Sequence, residues 1–417
     1  MNEELALRGG PKAIPKPLPN FLESAGRTFG KEEEELVLCA LRSGCLSRNG
    51  GQMVERFERA FAERLGVQRA VACSSGTAAV HLTIAALNPE PGEEFITPPI
   101  TDVGSVLPII WQGCVPVFAD VDPRTLNLDP EDVERKVTSR TRAILAVHLA
   151  GQPCDLGKLR AIADRHHVAL IEDCSQAYWA EYEGRRVGTL GDLACFSLQQ
   201  SKHITCGEGG LMVTSRVEYA DRAKLFADKA WPRGAKSLGD ARFLFLAQNY
   251  RMSELQGAVA LAQLGKVEAV VARRRDRADQ LTRAIAGSGG VHHPYVPANT
   301  LPSYWLYMLH VEEAELSVST KEFGEALLAE GVPGWVQYIV NPLYLSPLFA
   351  AAQTFGHSAY PFKTYGSQNY AQGLCPQAER ALRHVIALHW NENYTVEHVG
   401  QIGSAIAKVV AYWRETQ

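Results

Sequence analysis

Phe196-Ser197-Leu198-Gln199-Gln200-Ser201-Lys202-His203-Ile204-Thr205-Cys206-Gly207-Glu208-Gly209-Gly210 runs from a short apolar strand, through a lysine, into a Gly-rich turn. A second strand, Leu211-Met212-Val213-Thr214, follows at once. A lysine set there can attack an aldehyde and form a Schiff base, and burial would help by lowering its pKa. Upstream, the apolar run Val168-Ala169-Leu170 leads to Ile171-Glu172-Asp173, which leaves a carboxylate at a strand end. Taken singly, Lys202 reads as a surface loop lysine and Asp173 as a helix cap. As a pair they are an amine for an aldehyde and a carboxylate for a pyridinium nitrogen, the two groups that pyridoxal phosphate requires.

A phosphate element lies further upstream. Ala72-Cys73-Ser74-Ser75-Gly76-Thr77-Ala78-Ala79 follows a strand and opens a helix. Gly76 lets the backbone approach a ligand closely, and the free amides of a helix N-terminus attract an anion. Ser75 and Thr77 add hydroxyl donors, although Ser-Gly-Thr also makes a good turn and cap. Gln176, three residues past Asp173, is placed to hydrogen-bond a ring hydroxyl, or it faces solvent. Ser197, five residues before Lys202, is within reach of the same phosphate.

The flanking sequence sets these groups on an α/β frame. Apolar runs at 70–73, 94–97, 115–119, 143–148, 168–172, 193–198 and 211–214 read as seven buried strands. Helical stretches such as 78–87, 156–166 and 219–228 lie between them, so a mostly parallel sheet covered on both faces is expected. Residues 1–25, rich in Pro and Gly, read as an extended N-terminal arm, and 32–41 and 54–65 as helices. From 253 to 286 the pattern is continuously helical, as one long helix or a helix pair. The remainder mixes strand (304–311) and helix (321–330, 396–413). The expected division is therefore an arm (1–25), a large cofactor-binding domain (26–265) and a smaller α+β C-terminal domain with its connecting helix (266–417).

A net charge of −4 gives no reason to expect nucleic acid or an anionic membrane as partner. No apolar run approaches the length of a membrane helix, and the acidic start lacks a signal-peptide pattern. The nine cysteines are scattered without a CxxC pair, which suits a reducing cytoplasm and gives no metal or disulfide framework. His148, His166 and His167 read as packed, hydrogen-bonded histidines. Arg273-Arg274-Arg275 and the acidic run 32–35 read as solvated helix faces. Trp335, Tyr338 and Tyr344 either line a sugar pocket or pack a core.

The order Ser-Gly-Thr, Glu-Asp-x-x-Gln, Ser-x-x-x-x-Lys-x-x-x-x-Gly-Glu-Gly-Gly and Asn249-Tyr250-Arg251-Met252-Ser253-Glu254-Leu255-Gln256 resembles the DegT/StrS-type sugar aminotransferase family. The resemblance begins near Gly44 and covers most of the chain. It implies a fold-type-I pyridoxal-phosphate enzyme, a homodimer with each active site at the subunit interface. By matching positions, Lys202 is the Schiff-base lysine, Asp173 the pyridinium partner and Gln176 the ring-hydroxyl contact. Gly76, Thr77 and Ser197 match phosphate contacts, and Asn249 a phosphate ligand given by the other subunit. A dehydratase branch of the family carries histidine at the lysine position; Lys202 is the aminotransferase form.

One departure stands out. Relatives carry a ring-stacking aromatic after the second strand, whereas Pro98-Pro99-Ile100-Thr101-Asp102-Val103-Gly104-Ser105 has Asp102 there. Asp102 either caps a helix over 103–111 or meets a substrate hydroxyl or amine, and Tyr178 or another aromatic is a candidate replacement for the stacking ring. Tyr338 is the other candidate substrate contact. The expected activity is conversion of a keto group on a sugar-like or cyclitol substrate, with or without a nucleotide attached, to an amine. Glutamate or glutamine is the donor that the resemblance implies, in a ping-pong cycle. Sugar dehydration or oxidation on the same scaffold is the alternative, and a non-catalytic regulatory role is a second one.

Overall fold

In the computed structural model, residues 4–233, 242–366 and 368–415 are described. Residues 1–3 of the expected arm and 416–417 of the expected C-terminal unit lie outside them. All seven expected strands are present: β1 Arg69–Cys73, β2 Glu94–Thr97, β3 Val115–Phe118, β4 Thr141–Val147, β5 Ala169–Asp173, β6 Leu193–Ser197 and β7 Gly210–Thr214. They form one sheet in the order β1-β7-β6-β5-β4-β2-β3. β7 is antiparallel to both β1 and β6, and the other pairings are parallel. The strands are buried along most of their length because helices cover both faces, which is why they read as unbroken apolar runs.

One face packs against α3 (Gly76–Leu87) and α5 (Val217–Ala227), the other against α2 (Met53–Leu65), α4 (Leu156–His166) and α6 (Glu254–Leu264). The expected helical stretch 253–286 is a pair. α6 opens on a Ser253/Gln256 capping box, and α7 (Val267–Ile285) follows across a 55° bend. Among the described residues no single helix is long and apolar enough to cross a membrane.

A second, antiparallel sheet is formed by β8 (Val291–His292), β9 (Leu306–Val311), β10 (Gly334–Trp335) and β11 (Val385–His389) in the order β8-β9-β11-β10. Its core joins α7, α8 (Thr320–Ala329) and α9 (Val396–Glu415). The arm lies on this core instead of extending freely. Leu5, Ile14 and Leu18 are buried in it, and the N–H groups of Ala6 and Ala13 donate to the Glu330 carboxylate at 2.8 and 2.9 Å.

Two expected solvated faces are corrected in part, at Arg274, Arg275 and Glu33. Arg274 is 1% exposed; its guanidinium donates to Glu392 Oε2 at 2.6 and 3.0 Å and to the carbonyl of Trp390 at 2.7 Å. Arg275 donates to the carbonyls of Pro302 and Trp179. In the acidic run, Glu33 is buried and accepts from Gln263 and Lys266 at 2.8 Å each. The runs lie on α7 and on α1 (Lys31–Arg42), and in each the residues turned toward a neighbouring element are buried while Arg273, Glu32, Glu34 and Glu35 stay exposed.

Candidate active site

Parallel strands place their C-terminal ends on one edge of the sheet, where ligands of open α/β sheets bind. Here that edge borders a cavity of about 760 Å³. Ser75, Gly76 and Thr77 enter it after β1, Thr101 to Ser105 after β2, Asp173 and Gln176 from β5 and its following turn, and Ser197 and Lys202 from β6 and its turn. Phe21, Trp305, Trp335 and Tyr338 complete its aromatic wall.

Asp173 is 2% exposed, and its carboxylate accepts from the Ser105 hydroxyl at 2.7 Å and the Ser175 N–H at 3.0 Å. Ser105 in turn shares a 3.0 Å hydrogen bond with the Thr101 hydroxyl. Gln176 accepts from the Ala150 N–H at 2.7 Å and donates to the Tyr338 hydroxyl at 3.1 Å, so its amide is buried and oriented, not solvent-facing. Ser75 is the N-cap of α3, its hydroxyl accepting from the Ala78 N–H at 3.1 Å. A Cβ on Gly76 would come within 2.7 Å of the Ser197 side chain, so only glycine lets these two phosphate candidates approach.

The Lys202 ammonium lies 3.9 Å from the centre of the Trp305 ring, whose indole N–H donates to the Ser201 carbonyl at 2.9 Å. Burial lowers the lysine pKa from 10.5 to about 8, while the nearby carboxylates of Asp173 and Asp102 oppose the shift. A buried carboxylate, an amine made easier to deprotonate and a helix N-terminus around one cavity fit the nitrogen, aldehyde and phosphate of pyridoxal phosphate.

A profile of the DegT/DnrJ/EryC1/StrS aminotransferase family matches residues 27–407. The chain belongs to this family. It is an α/β aminotransferase of the pyridoxal-phosphate-dependent kind. GDP-perosamine synthase of Caulobacter vibrioides is 35% identical over 340 residues, 81% of this chain and 89% of the relative. L-glutamine:2-deoxy-scyllo-inosose aminotransferase of Streptomyces kanamyceticus is 37% identical over 365 residues, 84% of each chain. The crystal structure of DesI with its TDP-sugar product superposes with a TM-score of 0.83 at 29% identity, covering 99% of this chain and 97% of that one.

Not every expected residue of this aminotransferase reaches the cavity. Asn249 is exposed elsewhere on the surface, its backbone bridged to Asp228. Asp102 is exposed at the cavity, and its Oδ1 accepts from the Gly104 N–H at 2.8 Å. It therefore caps, but caps a 3₁₀ turn, Val103–Ser105; the expected helix over 103–111 divides, with Leu107–Trp111 starting afresh at Pro108. Tyr178 does not replace the stacking ring. It is fully buried against Phe61 and Phe196 on the far side of the sheet, its hydroxyl donating to the Ser197 carbonyl. Trp335 and Tyr338 line the cavity, whereas Tyr344 is core and donates to Glu379.

Of the three histidines expected to be packed, only His148 is; His166 and His167 are exposed at the end of α4. The His148 Nε2 donates to Glu172 at 3.2 Å, since its Nδ1 accepts from the Cys154 N–H. Burial works to raise the Glu172 pKa, but His148 and the N–H groups of Gly188 and Gly191 hold it below the ordinary value. His166 pairs with Glu134, and His167 ends α4 in a left-handed conformation. Phe21, Ser105 and Trp305 are site residues that the motifs did not mark. Ser105 alone left a trace, as a small polar residue in the turn after β2.

Proposed function

We propose that the protein converts a keto group on a sugar-like or cyclitol substrate to an amine, with glutamine or glutamate as donor. The observation that carries this reading is the convergence of Lys202 and Asp173 on one cavity walled by aromatic rings and hydroxyl groups. Pyridoxal phosphate, when bound, supplies an electron sink for the carbanion formed as an amine and a ketone exchange nitrogen. Asp173, held by Ser105 and Ser175, is oriented to keep the ring nitrogen protonated. Gln176, fixed by Ala150 and Tyr338, presents its amide to the ring hydroxyl. Gly76, Thr77 and Ser197, with the α3 N-terminus, receive the phosphate; the Ser75 hydroxyl serves the cap, so its part there is to shape the turn.

Lys202 Nζ is the group that would hold the cofactor through its aldehyde, and as a free amine it would take the proton from the donor α-carbon and return one to the product carbon. A lowered lysine pKa supports both tasks, because both need the free amine. Asp102, its Oδ1 committed to Gly104, has Oδ2 to offer a substrate hydroxyl or amine, and Tyr338 presents its ring beside it.

The exposed side chain of Asn249 supports a homodimer in which it contacts the phosphate in the partner's site. Exposed Phe243, Leu244 and Leu246 in the same segment support a covered face. The division into 1–25, 26–265 and 266–417 belongs to the same reading, supported by the break between α6 and α7. A cytoplasmic location is supported by the scattered thiols. The absorption spectrum of purified protein, before and after L-glutamine or L-glutamate, tests the reading. Loss of the lysine-bound cofactor band on adding donor is expected; a bound cofactor indifferent to both donors overturns it. A sugar dehydration needs no amino donor, so turnover without one would favour that second reaction.

A further inference from the structure

The turn that carries Lys202 is held by its main-chain carbonyls, and the groups that hold it come from distant parts of the chain. Arg27, 7% exposed two residues beyond the arm, donates to the carbonyl of Lys202 at 2.8 Å, to that of Gln200, and to that of Phe21 at 3.3 Å. Gln200 returns a bond from its amide to Phe21 O at 2.8 Å. The Ser201 carbonyl is taken by the Trp305 indole, and the His203 Nε2 lies 3.0 Å from the Ser303 carbonyl. Residues 200 to 203 are thus each tied to the arm or to the segment entering β9.

Behind Arg27 stands a charge chain. Glu392 Oε1, buried without a hydrogen-bond partner among the described residues, faces Arg27 Nη1 at 3.8 Å. The other Glu392 oxygen takes the double contact from Arg274. Arg274 is anchored to the carbonyls of Tyr304 and Trp390. Asn391 and Asn393 donate to the carbonyls of Gly26 and Ala25, so the same loop also grips the arm on either side of Glu392.

We propose that Arg27 is a positioning residue for Lys202, aimed by Glu392 and Arg274, and that it makes the place of the lysine amine depend on docking of the arm against the C-terminal sheet. A guanidinium suits the task because its planar fork reaches two carbonyls at fixed spacing, which a lysine cannot do. The inference rests on Lys202 being the group that bonds pyridoxal phosphate.

The test compares full-length wild type with Arg27→Met, Arg27→Lys and Glu392→Gln, each stripped of cofactor. Covalent capture of pyridoxal phosphate, in which the amine displaces water from the aldehyde carbon, is followed by absorbance and by borohydride trapping at Lys202. Binding of pyridoxamine phosphate, which has the same ring and phosphate but no aldehyde, is measured alongside. Arg27→Met is expected to slow capture by about tenfold to a hundredfold, the scale of a misplaced reacting group, with pyridoxamine phosphate affinity within about twofold. Arg27→Lys and Glu392→Gln should fall between, and they serve if the methionine variant fails to fold. Capture at the wild-type rate in all three overturns the proposal. So does a parallel loss of both ligands, which marks Arg27 as a brace for the whole site. A wild type that captures no pyridoxal phosphate would instead refute the lysine assignment itself.

Discussion

Lys202 pays for its placement in stability, and the sign of the effect is testable. Its pKa in the folded protein is about 8, below the ordinary 10.5. Between those values the unfolded chain holds a proton that the folded chain has released, so stability from this group rises with pH across that window. Below pH 8 both states are charged and burial of the ammonium is unfavourable. Lys202→Met should therefore stabilise the cofactor-free protein at pH 7 by on the order of 1–2 kcal/mol, after discounting for its partial exposure. The gain should fade as pH passes from about 8 to about 10.5, read by denaturant melts at each pH. Asp102→Phe should cost about 1 kcal/mol for the lost cap. Turnover of the keto-substrate should collapse while cofactor capture stays intact; unchanged turnover would leave Asp102 a cap and nothing more.

At the scale of elements, the site depends on how closely two strand ends approach. The start of α3 lies against β6 and β7, where a Cβ at Gly76 would meet Ser197 at 2.7 Å and one at Gly210 would collide with the Ser75 carbonyl. Gly76→Ala must push the phosphate turn off the strand. Pyridoxamine phosphate should bind at least about tenfold more weakly, a loss of about 1.4 kcal/mol, by equilibrium titration. The long helical stretch shows how far periodicity carries at this scale. Apolar spacing runs through 253–286, and α6 and α7 bear it out. After the 55° bend between them the packing changes: α6 and the first turns of α7 (Val267, Val271) join the large-sheet core, and the later turns (Ala278, Leu281, Ile285) join the smaller one.

Across the whole molecule, arm, lysine turn and C-terminal sheet share one buried ion pair. Arg274→Met leaves the Glu392 carboxylate without its double contact, so a loss of about 3–5 kcal/mol is expected in equilibrium unfolding. A loss below about 1 kcal/mol would show that the pair is dispensable. Sharing of the site between subunits has its own signature. Lys202→Ala and Asn249→Ala proteins, each expected to be impaired, should recover about a quarter of wild-type sites when dissociated and reassembled together, because half the dimers are mixed and each has one intact site. No recovery in reassembled mixtures, checked by turnover, would place Asn249 in the site of its own subunit or outside it.

Local chemistry is legible in the sequence by itself. The seven strands, the turns after them, and the roles open to Lys202, Asp173, Gln176, Gly76 and Ser197 follow from short-range patterns. Strand burial demands apolar runs, and a cofactor demands particular groups at strand ends. What touches what across the chain is decided only by tertiary structure. A run of three arginines reads as solvated until Glu392 and the segment entering β9 take up Arg274 and Arg275, leaving only Arg273 exposed. Tyr178 reads as a possible ring partner until the turn after β5 sends it to the far face of the sheet. Phe21, Ser105 and Trp305 enter the cavity from three separate segments with no shared motif. Spacing along a chain reports which residues share a face, whereas the packing of one element on another decides what that face meets.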